Sequence, residues 1–124
     1  MKYFHVRSRL LEEVAVLYPK GHLDAHNVER FEKEILKLVG NEVVKIVVNC
    51  RDLNYISSAG MGVIMGYLDE IREKGGDIKL CSLNERVYEI FDLVGFTDIY
   101  DFLSDEKAAI NKFNDVSKST PINH

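Results

Sequence analysis

Apolar residues follow two periods along this chain, and the switches between those periods mark its elements. Val43-Val44-Lys45-Ile46-Val47-Val48-Asn49-Cys50 is β-branched almost throughout, the composition of a strand covered on both faces. Beyond it, a strand-like run at Tyr55-Ile56 gives way through Ser57-Ser58 and small residues to Ile64, Leu68 and Ile71 at helical spacing. Met61, Met65 and Tyr67 widen that stripe, and Lys74-Gly75-Gly76 closes it. Ser57 or Ser58 is the natural N-cap of the helix.

Upstream, Tyr3 to Ser8 and Val14 to Tyr18 read as two antiparallel strands, with polar Arg9 to Glu13 as the hairpin between them. Pro19-Lys20-Gly21 breaks the pattern. Asp24 or Asn27 then caps a helix with Val28, Phe31, Ile35, Leu38 and Val39 on one face, ended by Gly40-Asn41. Downstream of the serine helix comes a strand over Asp77 to Cys81. The capping-box pattern Ser82-Leu83-Asn84-Glu85 opens a third helix, with Val87, Ile90, Phe91 and Val94 on one face and Gly95 at its end. Thr97 to Tyr100 fits a short edge strand, and Ser104-Asp105-Glu106 begins a last helix with Ala108, Ala109, Ile110 and Phe113 inward. Residues 1–113 thus read as one α/β domain with a mixed sheet of four or five strands and about four helices, and 114–124 as a polar, flexible tail.

Composition narrows the function classes. A chain of 124 residues buries most of its apolar surface without disulfides or metal. A net charge of −4 and a pI near 5.5, with no dense basic stretch, argue against direct nucleic-acid binding. No run approaches a membrane span or the apolar core of a signal peptide, so a cytoplasmic location is expected, away from the membrane. Cys50 and Cys81 each lie near the end of an apolar run, as two small buried thiols would.

The serine stretch is where chemistry is expected. A helix start presents unpaired N–H groups and a partial positive charge, so a serine there either caps the helix or, once phosphorylated, places its phosphate favourably. One cap is enough, which leaves the second hydroxyl free to face solvent. Three other motifs carry less. Gly60-Met61-Gly62-Val63-Ile64-Met65-Gly66 matches a loose GxGxxxG, but it stands far from the preceding strand and lacks a ribose-binding acid; small residues there let the helix approach the sheet or a partner. His22, Asp24 and His26 form HxDxH without a fourth metal ligand. Neither serine sits in GxSxG. No catalytic activity, cofactor or metal is therefore expected.

With these residues in view, the chain resembles the STAS domain family, named for sulfate transporters and anti-sigma factor antagonists, and within it the small stand-alone bacterial antagonists. The likeness runs over about residues 3 to 113 and rests on Gly21-His22-Leu23-Asp24, on Asn49 and Asp52-Leu53, on Ser57-Ser58-Ala59-Gly60-Met61-Gly62, and on Gly75-Gly76. In that family the loop usually reads Asp-Ser-Ser/Thr-Gly-Leu-Gly, and the first serine is phosphorylated by the anti-sigma factor, itself a serine kinase. Registering on Gly60-Met61-Gly62 puts that serine at Ser58, with Ser57 as runner-up. Ser57 stands where the Asp often is, and Ala59 replaces the following hydroxyl residue. Asp24 takes the place of the family's acidic residue near this loop, while His22 sits where an acid is frequent.

The resemblance implies helices packed largely on one face of the sheet and a non-enzymatic, phosphorylation-controlled partner switch. The unphosphorylated form would bind the anti-sigma factor kinase and release a sigma factor, and a PP2C-like phosphatase would reverse the modification. Asp24, Ser57, Ser58, Ala59, Gly60, Met61 and Gly62 would form the partner surface. From its place in the first helical turn, Met61 either points outward, where a flexible thioether suits a binding surface, or joins the core. A different outcome within the same family is a subunit docked permanently in a larger signalling or lipid-transport assembly.

Overall fold

The computed structural model describes residues 3–119. Its elements are β1 (Phe4–Leu11), β2 (Val14–Leu23), α1 (Val28–Gly40), β3 (Lys45–Asn49), β4 (Leu53–Ile56), α2 (Ser58–Gly66), α3 (Leu68–Glu73), β5 (Asp77–Cys81), α4 (Glu85–Leu93), a 3-10 turn (Phe96–Asp98), β6 (Phe102–Leu103) and α5 (Glu106–Ser119). The six strands form one mixed sheet in the order β1-β2-β3-β5-β6, with β4 off this path and paired to β2. β1 and β2 are antiparallel and all other pairs are parallel.

The middle strand shows why the sheet is covered on both sides. Ile46 and Val48 of β3 enter the larger core, with Leu17, Ile78 and Leu80, beneath Phe31 and Ile35 of α1, Ile64 and Ile71 of α2 and α3, and Phe91 of α4. Val47 turns the other way, to Val14, Val16 and Cys81 beneath Ala109 and Phe113 of α5. Period-2 alternation thus feeds two unequal cores, and only α5 lies on the smaller side. Cys50 and Cys81 are buried free thiols, and the Cys50 N–H donates to the Cys81 carbonyl at 2.9 Å. Burial pushes both thiols up, that of Cys81 to about 11.

Several boundaries differ from the sequence reading, each for a local reason. The β1–β2 ladder continues to Leu11 opposite Val14, so the turn is only Glu12-Glu13, with Glu12 at φ 56°. Arg9 and Leu10 look like loop because β1 is an edge strand, and exposed charged side chains are usual on an edge. Pro19-Lys20-Gly21 stays within β2. β3 pairs with β2 over Val14–Leu17 and β4 pairs with it from Gly21 onward, so Pro19 falls where that side of β2 has no partner to lose. Gly21, at φ 99°, sits beside the register shift, and a Cβ there would lie 2.2 Å from the Tyr3 carbonyl oxygen.

The helix expected to run from the serines to Lys74 is broken at Tyr67. Gly62 and Gly66 face open space, where nothing offsets their poor helix propensity. The Tyr67 hydroxyl donates to Glu32 of α1. Ser82 is not a helix cap but a left-handed residue at φ 61°; Asn84 caps α4, accepting from Val87 N at 2.8 Å. Val94 follows the end of α4 and is 53% exposed rather than inward. Thr97 to Tyr100 holds the 3-10 turn instead of a strand, and the edge strand comes later, at Phe102–Leu103. In α5, Ala109 and Phe113 are buried, whereas Ala108 and Ile110 are half-buried. The stretch read as a tail from 114 begins inside α5, and 120–124 lie outside the described residues. Among the described residues no helix is long and apolar enough to cross a membrane.

Candidate functional site

Parallel pairing of β2 with β4 brings the exits of two strands side by side. His22 pairs with Tyr55, Leu23 pairs with Ile56, and the Ser57 N–H donates to the Leu23 carbonyl at 2.9 Å. The loop carrying Asp24 therefore abuts the start of α2, at the C-terminal edge of parallel strands where open α/β sheets place their sites.

Asn27 holds the Asp24 loop. It occupies the N-cap position of α1 without capping it: its Oδ1 accepts from Asp24 N at 3.0 Å, and its Nδ2 donates to the His22 carbonyl at 2.8 Å. Asp24 Oδ1 accepts from His26 N at 2.9 Å, which folds the loop into a tight turn. The HxDxH side chains do not all converge: His26 Nδ1 lies 3.6 Å from Asp24 Oδ1 with its ring 96% exposed, while His22 stacks on Tyr55 at 5.0 Å. Among the described residues no group of three or more His, Cys, Asp and Glu side chains is placed to hold a metal ion.

The two serines have opposite environments. Ser57 is the extended residue before α2, in the N-cap position, yet its side chain makes no cap bond; its Oγ is buried without a hydrogen-bond partner. Ser58 is the first residue of α2 and is exposed. The first intrahelical bond runs from Met61 N to the Ser57 carbonyl at 3.0 Å, so the preceding turn has no side-chain cap and its dipole faces the opening. Among the described residues neither hydroxyl is hydrogen-bonded to a histidine. Ser58 is a presented hydroxyl, and what it offers chemically is an acceptor for a transferred group.

The remaining residues separate by face. Gly60 is buried against β2 and β4, Ala59 is half-buried, and Gly62 is exposed with nothing within 4 Å of a built Cβ. Met61 is partly buried against the main core, and it also lines a shallow groove with Ser58, Gly62, Met65, Val94 and Phe96. One residue that the sequence did not suggest joins the site. Arg86 borders the depression that also holds His22, Asp24, Tyr55, Ser57 and Ser58. It is carried there by α4, whose cap Asn84 also donates from Nδ2 to the Leu53 carbonyl at 3.3 Å. Nothing local in the sequence marks Arg86, because its place follows from α4 packing on β4.

Comparison with known proteins accords with this geometry. A family model described as the STAS domain matches residues 5–109. BtrV of Bordetella bronchiseptica, provisionally named an anti-sigma factor antagonist, is 31% identical over 94 residues, covering 76% of this chain and 81% of its own. The anti-sigma-B factor antagonist of Bacillus subtilis is 26% identical over 90 residues, covering 73% of this chain and 82% of its own. Among solved structures, the anti-sigma factor antagonist SpoIIAA in its unphosphorylated form matches with a TM-score of 0.77 at 23% identity, over 98% of this chain and 100% of that one, a likeness of fold. With its sheet, its serine helix and a family match over most of its length, the chain belongs to the STAS domain family.

Proposed function

We propose that this protein is an anti-sigma factor antagonist whose binding is switched by phosphorylation of Ser58. The observation that carries the reading is the exposed Ser58 hydroxyl at the uncapped start of α2, beside the Asp24 loop. The relatives named above support it, as does the fact that the fold neighbour SpoIIAA is described in both unphosphorylated and phosphorylated forms. In this reading the protein is non-enzymatic and cytoplasmic. Its unmodified surface, with Asp24, Ser57 to Gly62 and the half-buried Met61, binds an anti-sigma factor kinase and so releases a sigma factor. A PP2C-like phosphatase restores the surface.

The switch is electrostatic. A phosphate adds about −1.5 to −2 charges, and burying them against a partner without compensation costs several kcal/mol, each ~1.4 of which is tenfold in affinity. The start of α2 returns only about 0.3–1 kcal/mol to the free phosphoprotein, so the fold survives while the complex does not. Intact-mass analysis after incubation with the captured kinase and ATP should show Ser57→Ala phosphorylated and Ser58→Ala not. Calorimetry should show Ser58→Asp failing to bind the partner that wild type binds, with unchanged thermal melts. Equal binding by Ser58→Asp would replace the switch with a permanently docked subunit.

A further inference from the structure

The face of the sheet opposite Ser58 is only partly covered. α5 packs over β3, β5 and β6, while alternation along β1 and β2 turns Arg7, Arg9 and Tyr18 to the same side, beyond the helix. A cleft of about 490 Å³ opens there, and Asn49, Arg51 and the carboxylates Asp52 and Glu106 also line it. This volume is in the range of small-molecule sites.

Its basic groups are held in place by a chain of contacts. Asn49 Nδ2 and Arg9 Nη2 both donate to the Glu106 carboxylate, at 3.0 and 2.9 Å. Burial alone would raise the Glu106 carboxyl, but hydrogen bonds from Asn49, Tyr18 and Arg9 prevail and hold it below its ordinary value. The Arg7 guanidinium lies over the Tyr18 ring, 4.1 Å from its centroid. Asn49 Oδ1 accepts from Arg51 N at 3.0 Å, fixing the backbone that carries the third guanidinium. Arg9 is neutralised by Glu106. Among the described residues Arg7 and Arg51 form no ion pair, and Asp52, on the same rim, pairs with neither. A single exposed arginine needs no explanation. With Arg9 already paired to Glu106, two guanidiniums, Arg7 and Arg51, face the same concavity without a carboxylate partner, in a chain of net charge −4.

We propose that this cleft binds a small organic anion through a phosphoryl group, held by the Arg7 and Arg51 guanidiniums. A carboxylate is satisfied by one guanidinium fork, whereas a phosphoryl group offers three oxygens to donors from separate directions. The site is on the far side of the sheet from Ser58 and is independent of the partner switch.

Amide NMR titration at constant ionic strength tests it, with inorganic phosphate, phenyl phosphate and malonate as probes. Saturable shifts are expected at Arg7, Tyr18, Asn49 and Arg51, with phenyl phosphate binding more tightly than malonate. Arg7→Gln and Arg51→Gln should each weaken phosphate binding by about tenfold or more. Lys33→Gln, on α1 across the sheet, should leave it unchanged. Both arginines are exposed, so thermal melts of the variants should match wild type. Shifts that rise linearly without saturation, affinities that Arg51→Gln and Lys33→Gln lower equally, or malonate binding as tightly as phenyl phosphate would each overturn the assignment. So would binding of an acidic peptide with no response to phenyl phosphate, which would make the face a protein-docking surface.

Discussion

Gly60 stands directly on Leu23: a Cβ built on the glycine would come 2.9 Å from the leucine Cγ and 2.8 Å from Ile56 Cγ1. The start of α2, and Ser58 with it, is held at its height above the sheet by this absent side chain. Gly62, two residues on, has nothing within 4 Å of the same position. Gly60→Ala should therefore lose about 1–3 kcal/mol through overpacking, whereas Gly62→Ala should gain up to about 1 kcal/mol from helix propensity. Denaturant unfolding of the pair decides it. Equal stability of the two variants would mean that α2 is free to shift.

Ser57 gives a prediction of opposite sign to ordinary cap removal. Its Oγ is out of water without a hydrogen bond and makes no cap. Ser57→Ala should leave stability unchanged or raise it by about 1 kcal/mol, where loss of a working cap costs about 1 kcal/mol. A lowered melting temperature for Ser57→Ala would show that the hydroxyl caps α2 in solution.

Lys79 is a buried cation with two carboxylates. Its side chain is 5% exposed, and its Nζ bonds Asp101 Oδ2 at 2.7 Å and Asp77 Oδ2 at 3.1 Å and lies 4.6 Å from the Phe113 ring centroid. Replacing both acids together (Asp77→Asn with Asp101→Asn) strands the charge and should cost about 3 kcal/mol or more, while Lys79→Met should stay within about 1 kcal/mol of wild type. The hydrogen bond from Lys79 holds the Asp101 carboxyl below its ordinary value. Because the pKa falls on folding, the contribution is present above the ordinary carboxylate value and is lost as pH drops through the lower folded value. Melts from neutral to acid pH should show Asp101→Asn with a shallower acid limb than wild type. An identical limb would remove Asp101 from the pH dependence.

What could be read from the sequence depended on how far each element is shaped by itself. β5 was legible from Asp77 to Cys81 because both of its faces are buried, and α1 because Phe31, Ile35 and Val39 repeat against one core. β2 through Pro19 was not legible, since that residue is tolerated only because β3 has ended and β4 has not begun. Neither was the break at Tyr67, which accompanies a bond to Glu32 on another helix. At the site, the exposed serine at a helix start was visible locally, and the register that singled out Ser58 came from family resemblance. The silent Ser57 hydroxyl and the approach of Arg86 are products of packing that no spacing along the chain encodes.

In the switch proposed above, the pairing of β2 with β4 decides what kind of target the Ser58 region is. Asp24 comes from one crossover, Ser58 from the next, and Arg86 from α4, which packs on β4, so their proximity exists only while the sheet is assembled. They make a conformational epitope, not a linear one. A peptide spanning Tyr55 to Gly66 would carry the serines without the Asp24 wall or the Arg86 rim, and a partner that reads all three inspects folding and modification in one encounter.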